Sequence, residues 1–122
     1  MKVTELRIGN YIKDGFGDTK QVTMTFHTEI GVEAFKSFND PIVMFNEDIA
    51  NPIPLTEEWL LKFGFEKHDN GEDFDEWSLG HVEFTDFTDN TYEYNPTVLS
   101  FKHVHQLQNL YFALTGEELT VK

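Results

Sequence analysis

Three features of the sequence predict an α+β fold. They are a glycine-punctuated set of alternating apolar runs over residues 1–54, a proline-led helix signal at NPIPLTEEWLLKFGFE, and the helically periodic stretch VHQLQNLYFALTGEEL near the end. Between the two helix signals lie further short, strand-like runs. The expected organisation is a small all-β portion over residues 1–54, SH3-like if it closes, followed by helix, antiparallel meander and C-terminal helix over residues 55–122. At 122 residues, the two portions are expected to pack as one unit.

Each element has a local cause. In ELRIGNYIKDGFGD, Leu6 and Ile8 alternate with polar neighbours, Tyr11 and Ile12 follow, and Gly15 and Gly17 turn the chain, which reads as a first strand and its turn. KQVTMTFHTEIGV places Val22, Met24 and Phe26 on one face with Thr23 and Thr25 on the other, the two-residue period of a half-buried strand. VEAFKSF and PIVMFN, separated by the turn NDP, read as two further strands.

Pro52 and Pro54 keep the lead-in extended. Thr56 then stands at the N-cap, Glu57 and Glu58 complement the positive end of the helix dipole, and Leu55 can staple against Leu60. The helix is expected from Glu57 to Phe63, with Trp59, Leu60 and Phe63 as core contacts. Gly64 supplies a left-handed stop on which Phe65 folds back.

Beyond this helix, Asn70-Gly71 favours a type I′ hairpin. Val82 and Phe84 alternate, a turn falls near Asp89-Asn90, Tyr92 and Tyr94 form another strand, and Pro96 ends it, giving a meander of three or four strands. The three-residue step from Phe84 to Phe87 breaks alternation and predicts a bulge or an early turn. In the last helix Val104, Leu107, Leu110, Tyr111 and Leu114 form the buried stripe, and Thr115-Gly116 ends it. His105, Gln108, Asn109 and Phe112 are left on the other face.

Composition narrows the function classes. The chain is 39% hydrophobic and 15% aromatic, enough to build a core, and its lack of cysteine removes disulfides, thiolate zinc sites and cysteine nucleophiles. The N-terminus has no signal-peptide pattern and no apolar run approaches the ~20 residues that cross a bilayer, so a soluble, cytoplasmic protein with no membrane contact is expected. A net charge of -13 argues against direct nucleic-acid binding, which depends on Lys and Arg neutralising phosphates.

The charge is concentrated. Between Glu66 and Glu93, ten acidic residues stand against Lys67 alone, a local charge of about -9. Phe74, Trp77, Phe84, Phe87, Tyr92 and Tyr94 interleave with them. If alternate residues face outward, Glu72, Asp73, Asp75, Glu76, Trp77, Glu83, Asp86 and Tyr92 form an acidic, aromatic surface suited to a basic protein partner. The competing reading, favoured for a small domain, is a sheet with its aromatics in the core and its acids in water. An alternative site is a small-molecule, nucleotide-like pocket between the two portions, lined by Trp59, Trp77, Tyr92 and Tyr94.

Other chemistries fit less well. His103 and His105 form an H-x-H pair, and His68 and His81 lie among carboxylates. Residues two apart on a helix point roughly 200° apart, however, so no metal is expected and His105 reads as a solvated residue. DNGEDFDE lacks the spacing of an EF-hand loop and reads as a charged hairpin tip. Nothing places Asp73, Asp75, Glu76 or Glu83 in pairs across a cleft for acid–base hydrolysis. With three serines, no nucleophile-elbow motif and no phosphate-binding glycine loop, neither catalytic residues nor a cofactor is expected.

LRIGN, PIPLTEEWLLKFGFE and VHQLQNLYFALTGEEL resemble blocks shared by a group of small uncharacterised proteins of Bacteroidales genomes and their phages and prophages. About 36 residues carry the resemblance. It implies a mobile-element context and no particular activity, and the acidic middle of the chain falls in the group's variable part. The expected function is therefore a non-enzymatic accessory protein that binds a macromolecular partner, in its sharpest form an acidic inhibitor of a host nucleic-acid-binding or defence protein. A small-molecule sponge and a self-assembling structural protein are the alternatives.

Overall fold

The computed structural model describes residues 1–14, 16–26, 29–33, 42–46, 50–69, 75–87, 91–94 and 99–121. It has the α+β class the sequence predicts, with antiparallel strands throughout and two α-helices. By contacts the chain divides into two compact units, Met1–Ile53 and Pro54–Lys122.

The first unit is a four-stranded antiparallel sheet in chain order: β1 (Tyr11–Lys13), β2 (Thr19–Phe26), β3 (Glu29–Glu33) and β4 (Ile42–Asn46). Leu6, Ile12, Val22, Ile30 and Ala50 form its buried cluster, with Met1 and Val3 packed against it. A reciprocal bridge between Lys13 and Asn51, at 2.9 and 3.0 Å, returns the chain to β1. This is a single bridge and not a closing strand, so an SH3-like barrel is not shown among the described residues.

Three expectations for this unit change. Leu6 and Ile8 do not begin a strand: a 3-10 turn spans Val3–Glu5, and LRIGN is a tight turn. The Asn10 side-chain oxygen accepts the Arg7 N–H at 2.7 Å, the Asn10 N–H donates to the Arg7 carbonyl at 3.1 Å, and Gly9 takes a φ of 97° that favours glycine. Leu6 is buried as a result, and Ile8 is exposed. Second, the run read as one strand from Lys20 to Val32 is the separate strands β2 and β3, with residues 27 and 28 outside the described set. Third, the register slips between Val22 and Met24, which interrupts the alternation expected there. Of VEAFKSF, only Val32 and Glu33 lie within the described residues; the rest of that expected strand falls outside them.

At the β1–β2 turn, buried Asp14 accepts the N–H groups of Phe16 (2.9 Å) and Asp18 (3.0 Å) on one side-chain oxygen. The Asx arrangement fixes the hairpin and leaves Phe16 in solvent.

The second unit begins with α1 (Glu57–Phe63), whose bounds are those the sequence predicts. Gly64 adopts φ 93°, its N–H reaches the Leu61 carbonyl and the Phe65 N–H reaches the Leu60 carbonyl, both at 3.0 Å, completing the Schellman stop. Thr56 occupies the N-cap, but its hydroxyl makes no capping bond.

Five antiparallel strands follow in chain order, one more than the longer meander expected: β5 (Glu66–Asp69), β6 (Asp75–Leu79), β7 (Val82–Phe87), β8 (Thr91–Tyr94) and β9 (Leu99–Phe101). The β6–β7 and β7–β8 registers run without a slip, so there is no bulge between Phe84 and Phe87. The odd spacing only sends the two rings to opposite faces. The expected turns at Asn70-Gly71 and Asp89-Asn90 and the break at Pro96 lie outside the described residues.

The last helix, α2, spans Val104–Thr115 and stops at Gly116, φ 74°. Gln106 accepts the N–H groups of Lys102 (2.9 Å) and His103 (3.0 Å) at its start. Val104, Leu107 and Leu110 are buried as predicted, whereas Leu114 is exposed. His105 and Gln108 are also buried, contrary to the solvated face expected for them. The first two turns of α2 therefore bury more than one stripe. A pairing of Pro54 with His103, with the Leu55 N–H donating to the Lys102 carbonyl at 2.8 Å, ties together the lead-ins of the two helices.

The core of this unit is aromatic. Phe84, on the central strand β7, meets Phe65 (5.2 Å), Tyr92 (5.7 Å) and Phe101 (5.2 Å) edge-on, and Phe65 continues to Tyr111 of α2 at 6.4 Å. Replacing Phe84 with alanine removes the shared centre of these contacts and is expected to cost about 3–5 kcal/mol, which urea denaturation would show as a greatly lowered midpoint. Asn10→Ala, which removes the acceptor of the Arg7 N–H, is expected to cost about 1–3 kcal/mol in the same assay, with the five-stranded sheet's far-UV signal retained at low denaturant.

Candidate functional site: the two faces of the five-stranded sheet

Register assigns the described strand residues of the acidic segment to faces. Trp77 pairs with Lys67 and Phe84, and Asp86 pairs with Asp75 and Tyr92, so Lys67, Asp75, Trp77, Phe84, Asp86 and Tyr92 share one face. Through Phe65 and Tyr111 this is the face on which the helices lie. Glu66, His68, Glu76, Ser78, Glu83, Thr85, Phe87, Thr91, Glu93 and Ser100 belong to the opposite, outer face.

The predicted acidic, aromatic surface is therefore divided. Trp77 and Tyr92 are 0% and 3% exposed and serve as core residues, so they offer no anchors to a partner's surface. Asp75 and Asp86 lie at the polar end of the helix-bearing face, while Glu76 and Glu83 point outward. Glu72 and Asp73 lie outside the described residues, as does Phe74. Of the residues proposed to line a pocket, Trp77 and Tyr92 fill the core, Tyr94 is half-buried, and half-buried Trp59 packs against Phe63 at 5.6 Å with Lys62 5.1 Å above its ring.

The outer face carries Glu66, Glu76, Glu83 and Glu93 among Ser, Thr, Phe87 and a single His, with no Lys or Arg among its described residues. Glutamates two strands apart sit roughly 10 Å from one another. His68 Nε2 and Ser78 Oγ are 2.8 Å apart across β5–β6, and Glu76 stands opposite His68 in the ladder. This is within proton-transfer reach, but His68 is exposed and the open sheet does nothing to exclude water from Ser78. The pair acts as a surface hydrogen bond.

At the polar end of the other face, Lys67 Nζ lies 3.4 Å from both Glu57 Oε1 and Asp75 Oδ2, and 5.9 Å from the Trp77 ring. The hydrogen bond and charge of Asp75, and then those of Glu57, raise the Lys67 pKa. Asp86 shifts upward chiefly because burial penalises its charge. The Trp77 N–H and Lys67 favour the ionised form, whereas Asp75 and Glu57 oppose it. Burial, with Asp86 and Glu57, pushes the Tyr92 phenol up to about 12, and its hydroxyl donates to the Leu55 carbonyl at 3.3 Å. Glu57 and Lys67 were not among the candidate residues. Only the register and the placement of α1 bring them to Asp75.

His103 and His105 stack at 5.9 Å with their planes 11° apart. The angular argument against their proximity does not apply, because His103 is the extended N-cap residue and not part of the helix. Among the described residues, no group of three His, Asp or Glu side chains could hold a metal ion. No helix of the described residues is long and apolar enough to cross a membrane.

Comparison with known proteins gives no relative: no family model matches the chain, and no curated protein or solved structure matches it.

The Asp86 shift has a definite sign. A carboxyl whose folded pKa is raised adds stability below its unfolded pKa of about 3.9, and that contribution is lost as pH rises through the folded pKa. Asp86→Asn is accordingly expected to be more stable than wild type near pH 7, with the advantage vanishing toward about pH 3. Urea midpoints at the two pH values check this.

Proposed function

We propose that the protein is a non-enzymatic accessory protein that binds a basic macromolecular partner through the outer face of its five-stranded sheet. One observation carries this reading: Glu66, Glu76, Glu83 and Glu93 lie on one face that holds no Lys or Arg among its described residues. A protein that grips nucleic acid presents cations to closely spaced phosphates. Carboxylates at strand spacing offer those cations an alternative target, with electrostatic steering as the source of rapid, salt-sensitive capture.

In its sharpest form, the protein occupies the nucleic-acid site of a host defence or replication protein. The resemblance to proteins of Bacteroidales phages and prophages supports that setting. The small-molecule reading is weaker, since Trp77 and Tyr92 are committed to the core.

The test begins with capture of proteins from a host lysate on the immobilised chain at low and high salt. The purified partner is then titrated against wild type and the triple variant Glu76→Lys, Glu83→Lys, Glu93→Lys. Binding at least about tenfold weaker in the variant, with a flatter salt dependence, is expected. Equal affinity for wild type and variant would end this reading.

A further inference from the structure

We propose that the polar end of the helix-bearing sheet face, built from Asp86, Asp75 and Glu57, receives the guanidinium of an arginine side chain carried by a partner protein. This site is on the opposite side of the sheet from the outer glutamates and does not depend on them.

The charge arrangement motivates the proposal. Asp75 and Asp86 stand directly opposite each other in the β6–β7 ladder, a like-charge pairing that normally destabilises a sheet. Lys67 is the cation beside them, and it is already divided between Glu57 and Asp75 at 3.4 Å each. Among the described residues, no Lys, Arg or His pairs with Asp86 within 4.0 Å. Among the described side chains, Asp86, Asp75 and Glu57 thus face one ammonium.

Trp77 provides an independent observation. The residue is fully buried, and its indole Nε1 has no partner at hydrogen-bond geometry. The group on which that N–H acts is Asp86, whose ionised form it favours. A buried donor without its bond is costly, and the register sets the Asp86 side chain diagonally across from it on the same face. A cation entering beside Asp86 would relieve the Asp75–Asp86 repulsion and fix the Asp86 carboxylate as the acceptor for the indole N–H.

The site is open to a guest, because the side chains of Glu57, Lys67 and Asp75 remain 57%, 39% and 37% exposed. A guanidinium fits better than an ammonium. Carboxylates on residues paired across adjacent strands start from Cα atoms about 4.5–5.5 Å apart, and the planar fork of arginine can span both, whereas lysine offers a point charge.

The two indole N–H signals of the ¹⁵N-labelled chain report on the site, with Trp59→Phe assigning the Trp77 signal. Titration with N-acetyl-arginine amide is expected to move the Trp77 signal saturably while sodium chloride at matched ionic strength does not. Asp86→Asn should weaken the response at least about tenfold, and Asp75→Asn, as a second variant, should also weaken it. N-acetyl-lysine amide should bind several-fold more weakly than the arginine probe.

Movement reproduced by sodium chloride, no movement, or full affinity in both Asn variants would overturn the site. Equal affinity for the lysine probe would overturn the guanidinium assignment, and tighter binding of agmatine than of the arginine amide would overturn the partner-protein source. Glu76→Gln, Glu83→Gln, Glu93→Gln leaves the Trp77 response in place if the site is real, so loss of partner binding in that variant separates the outer-face reading from this one.

Discussion

The ring of Phe84 is the point from which the second unit is organised. It lies on the middle strand of five and meets rings from the α1–β5 junction, β8 and β9 at 5.2–5.7 Å. Edge-to-face contacts of this kind add about 0.5–1.5 kcal/mol each beyond the apolar area they bury. They are also directional, so they set how Phe65 leaves α1 and how Tyr92 and Phe101, stacked at 5.7 Å, sit beside one another. Phe65 then carries the constraint to α2 through Tyr111. With Phe84 facing inward, the two-residue period assigns every other residue of β7 to a face, and the ladder extends that assignment to all five strands.

That same constraint creates the electrostatic tension of the molecule. Placing Phe84 inward also places Asp86 inward, and the register that matches Trp77 to Phe84 matches Asp75 to Asp86. A one-residue slip would separate the acids but would send the aromatic set into water, a far larger loss. The acids therefore sit at the polar end of an apolar face. The Lys67 ammonium, the Trp77 N–H and the start of α1 at Glu57 gather there because those are the groups that the ladder and the helix bring within reach. Burial that raises the Asp86 pKa follows from packing, and so does that of Tyr92.

Signals confined to a few neighbouring residues were legible in the sequence. The bounds of α1, its Schellman stop and the glycine end of α2 each rest on short stretches of chain, and each stands where the sequence places it. Features that depend on distant partners were not. LRIGN reads as an alternating strand, but Asn10 folds it back onto Arg7, and the Gly9 N–H and Asn10 carbonyl pair with Val22. His105 and Gln108 read as polar and outward, yet α2 buries both, since burial of a polar helix face is decided by what packs there and not by helical period. For the candidate site, alternation alone could pair Glu76 with Ser78 and Asp75 with Trp77. Only the cross-strand register could show that Trp77, Phe84 and Tyr92 turn inward with Asp75 and Asp86 while Glu66, Glu76, Glu83 and Glu93 turn out.

The division between faces gives the acidic excess two physical environments. The outward glutamates, three exposed and Glu93 half-buried, cost the fold little, and their field extends about 10 Å in ordinary salt. Inward carboxylates have lost part of their hydration, so their interactions are screened less and each missing counter-charge matters more. Charge steering an approach and charge recognising a particular cation thus make different demands of one sheet: the first needs many exposed groups, the second a few constrained ones. A strand alternating acidic residues over both faces holds both kinds of charge within a single ladder. β6 does so most directly, with Asp75 beside the core and Glu76, the next residue, in solvent. The charge that makes the segment look uniform in sequence therefore becomes, on folding, two chemically different surfaces.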